Sequence, residues 1–313
     1  MRVLGLSAGN PDGSAEILLK LALQSAESEG AEVALIRLGD LALPTRPVGP
    51  GQSPEGDDGA WLWDQLMESD GLIASTPIYS RTIAGALKLV ADRLAGPAAD
   101  VAFAENYRSM LNDDSRPPQT PSVIFPYDER VLRPRVAGFI AVGGSLTSQW
   151  KSLALPLMHQ MTFSARIAVA DQLLVGGAGT PRSVVLDARA LVAAARVGRS
   201  VGSQLGLTFD EVSYRGEHGL CPLCHLSVMV VNGEEVECAT CGAGGRLVVS
   251  DGVASISFDA LERSVVTLDE KRAHFAEVQE TASVQGPLAA EIERRAAMYR
   301  EFDRRIAPRS VPA

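Results

Sequence analysis

Ser69-Asp70-Gly71-Leu72-Ile73-Ala74-Ser75-Thr76-Pro77-Ile78-Tyr79 reads as a strand, Gly71 to Ser75, that runs straight into a Thr-Pro loop. The strand is apolar on both faces. Such a strand belongs in a parallel sheet covered by helices on both sides, because a sheet with one wet face alternates apolar and polar residues. The segment after the loop, from about Ile83 to Leu94, has helical spacing. Toward the amino end, Val3 to Ser7 is a second short buried strand, and Ile17, Leu18, Leu21 and Ser25 fall on one side of a helix over 15–29. Residues 32–38 read as a strand, 39–56 as a Pro/Gly loop and 58–69 as a helix. Toward the carboxyl end come a strand at 136–142, a helix near 148–163, a strand at 166–171 and an Ala-rich helix at about 183–204. Strands alternating with helices predict an α/β protein with a doubly wound, five-stranded parallel sheet. Residues 96–134 break the rhythm with Pro, Asn, Asp, Ser and Arg, and are expected to form an excursion or lid.

After Gly206 the character changes. Cys221-Pro222-Leu223-Cys224 and Cys238-Ala239-Thr240-Cys241 are the chain's four cysteines, and Val-rich segments flank an Asn232-Gly233 hairpin signal. Each CxxC turn offers two thiolates, and two turns complete a tetrahedron with no open position. This predicts a metal site at Cys221, Cys224, Cys238 and Cys241. A structural zinc ribbon is the first reading; a rubredoxin-like iron site and a dithiol switch are the alternatives. His225, where a rubredoxin usually has glycine, favours zinc. His218 and His225 flank the knuckle without being needed as ligands. The last segment, 269–305, reads as helical, with Leu288, Ile292, Ala296, Tyr299, Phe302 and Ile306 forming a face that packs on something. The expected organisation is 1–206 as the main domain with its 96–134 excursion, 207–258 as the four-cysteine β module and 259–313 as a helical extension.

A net charge of -9 argues against nucleic acid as partner, and residues 216–241 contain no Lys beside the cysteines and no Arg either. No run is long and apolar enough for a membrane span or a secretory leader, so a cytoplasmic protein is expected. An anionic ligand would then be held by local backbone donors. Ser7-Ala8-Gly9-Asn10-Pro11-Asp12-Gly13-Ser14-Ala15 suits that task, since it joins the first strand to the first helix, where N–H groups point outward. It lacks both the dinucleotide glycine spacing and the P-loop lysine, so a mononucleotide phosphate fits it. A plain strand–helix turn capped by Ser14 is the other reading of this loop taken alone.

The Thr76-Pro77-Ile78-Tyr79 loop, followed by Gly85, Leu87, Lys88, Asp92 and Arg93, resembles the flavin loop and next helix of the NADPH-dependent FMN reductase and iron–sulfur flavoprotein families. Ser7, Gly13 and Ser14 match the phosphate loop of those families, with Gly9 at the usual arginine and Ala15 at the usual hydroxyl. Gly143-Gly144-Ser145 matches their Gly-Gly loop. The resemblance covers roughly residues 1–205. It implies a flavodoxin-like fold, bound FMN and NAD(P)H as cosubstrate. It implies a cofactor site of Ser7, Gly9, Gly13, Ser14, Ala15, Thr76, Pro77, Ile78, Tyr79, Gly143, Gly144 and Ser145, and a homo-oligomer, dimer or tetramer. The expected activity is hydride transfer to a small conjugated acceptor such as a quinone, a flavin or an aromatic metabolite. An electron-transfer flavoprotein with an iron centre, and an adaptor working through its ribbon, are the readings from other classes. Tyr79, Tyr107 and Arg108, with Tyr127 and Arg130, are the guesses for substrate contacts; an Asp92–Arg93 helix-end ion pair and a packed, satisfied His159 are expected to be structural.

Overall fold

The computed structural model describes residues 1–45, 56–94, 99–112, 128–302, 304 and 306. Five parallel strands among these residues, β1 (Arg2–Ser7), β2 (Glu32–Arg37), β3 (Gly71–Tyr79), β5 (Val136–Val142) and β6 (Ala168–Val175), lie in the order β2-β1-β3-β5-β6. Between the third and fourth of them, β4 (Thr82–Ile83) folds back antiparallel onto β3. The order reverses after β1, as in flavodoxin-like sheets, and a crevice opens there at the carboxyl ends of the strands.

Alternate residues of the central strands feed two cores. Val3, Ile73 and Ile140 pack against α1 (Ser14–Ser28) and α7 (Ala188–Gly202). Leu4, Leu6, Leu72 and Phe139 face α2 (Gly59–Met67), α3 (Gly85–Leu94) and α5 (Ala154–Met158). The helices α1 and α7 touch backbone to backbone: a Cβ on Gly198 would lie 1.9 Å from the carbonyl oxygen of Ala22. No other residue fits there.

The structure shifts several expected boundaries. The helix expected from 183 starts at Ala188, because the Asp187 carboxylate accepts the N–H groups of Arg189 and Ala190 at 3.0 Å each and so caps it. The helix expected over 148–163 is a 3₁₀ turn, then α5, then α6 (Gln160–Phe163). Within the expected excursion, α4 (Val101–Asn112) is a helix. Val101 and Ala104 are buried with Met67 and Val131, and Phe103 meets Phe275 edge-on at 4.7 Å.

The carboxyl third forms an antiparallel sheet of β7 (Met229–Asn232), β8 (Glu235–Cys238), β9 (Gly244–Ser250) and β10 (Val253–Ala260), in the order β10-β9-β8-β7. Helices α8 (Leu268–Gln285) and α9 (Ala289–Arg300) follow. The first of these packs on α4, with Lys271 bound to Asp100 at 3.0 Å. The expected packing of the α9 face does not occur within one chain: Ile292 and Tyr299 are 50% and 80% exposed. No described helix is long and apolar enough to cross a membrane.

Candidate functional site

The loops that leave the carboxyl ends of β1 and β5 meet the end of β3 around Pro77 and Ile78. The expected Thr76–Tyr79 loop is instead the last stretch of β3, because Thr76 and Pro77 continue the pairing with β5 and Ile78 and Tyr79 pair with β4. A Cβ on Gly9 would stand 3.4 Å from Pro77 Cδ, and one on Gly143 would stand 3.3 Å from Ile78 Cδ1. Ala8 N–H donates to the Ser75 carbonyl at 2.9 Å, joining the first loop to β3. The two loops thus lie within van der Waals contact of the end of β3, more tightly at Gly143 than at Gly9.

The first loop presents unused donors. Among the described residues no protein acceptor meets the N–H groups of Gly9, Asn10, Ser14 or Ala15. Gly13, the residue before α1, has no side chain with which to cap that helix. The Ser75 hydroxyl is buried without a partner among the described residues. Its register opposite Ser7 puts it on the α1 face of the sheet, under the start of that helix. Open helix-start donors and an orphaned buried hydroxyl form a cradle for an anion carrying oxygen acceptors. The FMN phosphate fits this donor set.

The end of β3 and its turn into β4 are held from within. Thr76 Oγ1 accepts the Ala84 N–H at 2.9 Å and donates to the Pro77 carbonyl at 2.9 Å, so its hydroxyl shapes this segment. Ser80 and Arg81 both adopt positive φ, 47° and 77°, in the two-residue turn between β3 and β4. Arg81 Nε donates to the Gln149 carbonyl at 2.7 Å, which ties this turn to the segment after β5. Tyr79 is 55% exposed at the rim. The loop after β5 is closed by Ala178 N–H on the Gly143 carbonyl and Gly177 N–H on that of Ser145.

The four cysteines form a second centre. All are buried, and their sulfurs lie within 4.8 Å of one another, with 3.6 Å between Cys221 and Cys241 and 3.5 Å between Cys224 and Cys238. A tetrahedron of thiolates about 2.3 Å from a zinc ion has edges of about 3.8 Å, so the donor set fits such an ion. The two turns share one geometry. His225 N–H donates to the Cys221 carbonyl and Gly242 N–H to that of Cys238, and both donors have positive φ, 59° and 77°. The His225 ring stacks on Tyr214 at 3.8 Å, and His218 meets both edge-on.

The knuckle joins the sheet through Gln172. This buried amide donates to the Cys224 carbonyl at 3.0 Å and pairs through Oε1 with His159 Nε2 at 2.9 Å. Burial holds the imidazole of His159 down at about 4. His159 is thus packed and satisfied.

The chain's first 179 residues match the family model of the NADPH-dependent FMN reductases. The chain belongs to that family. It is 36% identical over 267 residues to the flavone synthase cfoJ of Aspergillus candidus, a match covering 80% of this chain and 79% of the other. A solved structure of a flavone reductase superposes with a TM-score of 0.80 at 26% identity, over 98% of this chain and 100% of that one. An FMN-dependent NADH:quinone oxidoreductase of Nocardia farcinica is 33% identical over 106 residues, 32% of this chain and 47% of the other. As a member of the NADPH-dependent FMN reductase family the chain is an FMN-dependent oxidoreductase with the flavodoxin-like fold.

The other expected contacts lie elsewhere. Helix α4 sits at the amino-terminal ends of the strands, with Val101 N–H bound to the Ser164 carbonyl. Tyr107 is buried and Arg108 exposed on that helix, so one chain does not bring them to the loops. Arg130 pairs with Asp64 and Asp128 at that same end, and Tyr127 lies outside the described residues. The physical reason is that α4 carries an apolar face that needs burial, so it docks as a helix. Arg93 pairs with Asp57 and Lys88 with Asp92, in place of the expected Asp92–Arg93 pair. Arg81 and the pair Glu16–Arg37 were missed from sequence. Their only local signals are an Arg in a tight turn and a Glu in the first turn of a helix.

Proposed function

We propose that this chain transfers hydride from NAD(P)H through FMN to a small, flat, conjugated acceptor, and that flavones are the acceptor class to try first. The convergence of the loops after β1 and β5 on the end of β3 at Pro77 and Ile78, with unused N–H donors beside them, carries the reading. Two relatives whose names carry the word flavone align with most of the chain, which supports the acceptor class. Bound FMN would supply the redox chemistry, taking hydride at N5 and passing it on.

The chain's own residues would bind and orient. In this reading Ser7, Gly9, Gly13, Ser14 and Ala15 form the phosphate loop. Thr76, Pro77, Ile78 and Tyr79, with Gly143, Gly144 and Ser145, bound the ring, and the exposed Tyr79 ring flanks the acceptor. Cys221, Cys224, Cys238 and Cys241 hold one structural zinc, a closed set with no ligand position left over. The division at 206 and 258, a homo-oligomer and a cytoplasmic location belong to the same proposal; reduced thiols suit that compartment.

The test is an absorption spectrum and metal analysis of one purified sample, followed by NAD(P)H oxidation with a flavone, a quinone and free FMN as acceptors. Flavin bands, about one zinc per chain and turnover with the flavone are expected. Iron with thiolate bands would replace zinc by the electron-transfer centre. No flavin bound even after adding FMN would overturn the reading.

A further inference from the structure

Glu16 lies in the first turn of α1 and is completely buried. A carboxylate holds such a position only with partners, and here they come from four segments. Ser7 Oγ, at the end of β1, donates to it at 3.3 Å, and the Asp12 N–H of the phosphate loop donates at 3.3 Å. Arg37, at the end of β2, donates through Nε and Nη2 at 2.8 Å each. Lys20, one turn further along α1, stands at 2.9 Å. The Arg37 guanidinium, as the strongest partner, holds the carboxyl down at about 2.

We propose that Arg37 is a positioning residue for the phosphate end of the flavin. It pins the ionised Glu16 beneath the loop, and Glu16 in turn fixes the loop through Asp12 and Ser7. A buried ion pair is by itself weak evidence of a role, since apolar replacements often cost little. What distinguishes this pair is where its other bonds go: Asp12 lies in, and Ser7 at the base of, the loop whose outward N–H groups have no protein acceptor among the described residues. Gly9 leaves that loop without a cation of its own. Lys20 cannot take over, because it is shared with Asp12 and is 42% exposed. Without Arg37 the carboxylate has one half-exposed cation left. It turns toward water and releases the Asp12 N–H and the Ser7 hydroxyl.

The inference rests on the FMN reading above, and the experiment separates the two. Apoprotein of wild type, Arg37→Met and Arg37→Lys is titrated with FMN and with riboflavin, which lacks only the phosphate, following flavin fluorescence. The melting temperature of each apoprotein is recorded as a folding control. Arg37→Met should weaken FMN about 10- to 100-fold, the range for losing a charge-assisted pair. Riboflavin should stay within about twofold of wild type, and Arg37→Lys, which keeps the charge but not the paired geometry, should fall between. Unchanged FMN affinity, or equal loss of both flavins, would overturn the role. Should Arg37→Met fail to fold, Arg37→Lys decides by the same criterion. Wild type that binds neither flavin would sink the FMN reading instead.

Discussion

Gln172 is a single side chain on which two parts of the molecule depend. Its amide donates to the knuckle carbonyl of Cys224, so Oε1 faces His159 and the imidazole must carry its proton on Nε2. Gln172→Leu would leave buried groups unpaired on both sides. A loss of about 2–4 kcal/mol in denaturant unfolding is expected, together with faster reaction of the cysteines with a thiol reagent. His159 adds a pH signature. Its folded value of about 4 lies below the ordinary 6.5, so the unfolded chain binds the proton more readily. The stability that the neutral ring contributes is complete above 6.5 and is lost as pH falls from there toward 4. The destabilisation caused by His159→Phe should therefore shrink between pH 7 and pH 5. A cost that stays constant over that range would mean the ring is not held neutral by the fold.

At the scale of elements, the β3–β4 turn is built from residues that ill suit it. Ser80 and Arg81 occupy the left-handed positions that Asn-Gly fills at lower cost. Ser80→Asn with Arg81→Gly should stabilise the fold by about 1 kcal/mol and raise KM for the acceptor, because the bond to Gln149 is lost. The contact of α1 with α7 has the opposite character. Gly198→Ala forces a methyl against the Ala22 carbonyl, and a loss of about 2–3 kcal/mol is expected in thermal or denaturant unfolding. Elements were legible where a local pattern sufficed. Four of the parallel strands stood out as apolar runs and β2 by its alternation, though the strand expected over 166–171 runs from Ala168 to Val175, and the two cysteine turns stood out by their spacing. Helix α4 was not legible, since the residues that cover it, Met67, Val131 and Phe275, are distant in sequence. The face of α9 was legible as a face, but periodicity says nothing about what covers it.

The whole molecule joins two sites by different logics. The three strand-end segments could be read from the sequence because each belongs to its own strand, and the fold needs only to bring strand ends together. That Thr76–Tyr79 continues β3 could not, because its partners in β4 and β5 come later in the chain. The Glu16–Arg37 pair could not, because it bridges two strand–helix units 21 residues apart and neither partner is unusual where it stands. The cysteine module docks on the flank of the sheet, with Gln172 reaching the knuckle and Arg215 N–H bonding the Ala170 carbonyl at 2.8 Å. Stripping metal with a chelator should lower the melting temperature. It should leave FMN bound well below that temperature, since the loops lie at the strand ends. Simultaneous loss of flavin and metal in the cold would show that the two centres are one unit.

That docking has a further consequence, for self-association. Strand β6 is an outer strand of the sheet, and its sequence Ala168-Val169-Ala170-Asp171-Gln172-Leu173-Leu174-Val175 is mostly apolar. Left bare, such an edge is a template on which another chain can add a strand. Arg215, six residues before the first cysteine turn, places one bond on that edge through its N–H to the Ala170 carbonyl, and the Gln172 side chain ties the strand to the turn itself. On the proposal that the cysteines hold a metal, a chain that folds before acquiring it would hold this cover less firmly, and crowding would then favour growth of aggregates over waiting for the ion. The four cysteines would thus guard the sheet against its own kind, and metal-starved expression should yield inclusion bodies while metal-replete expression does not.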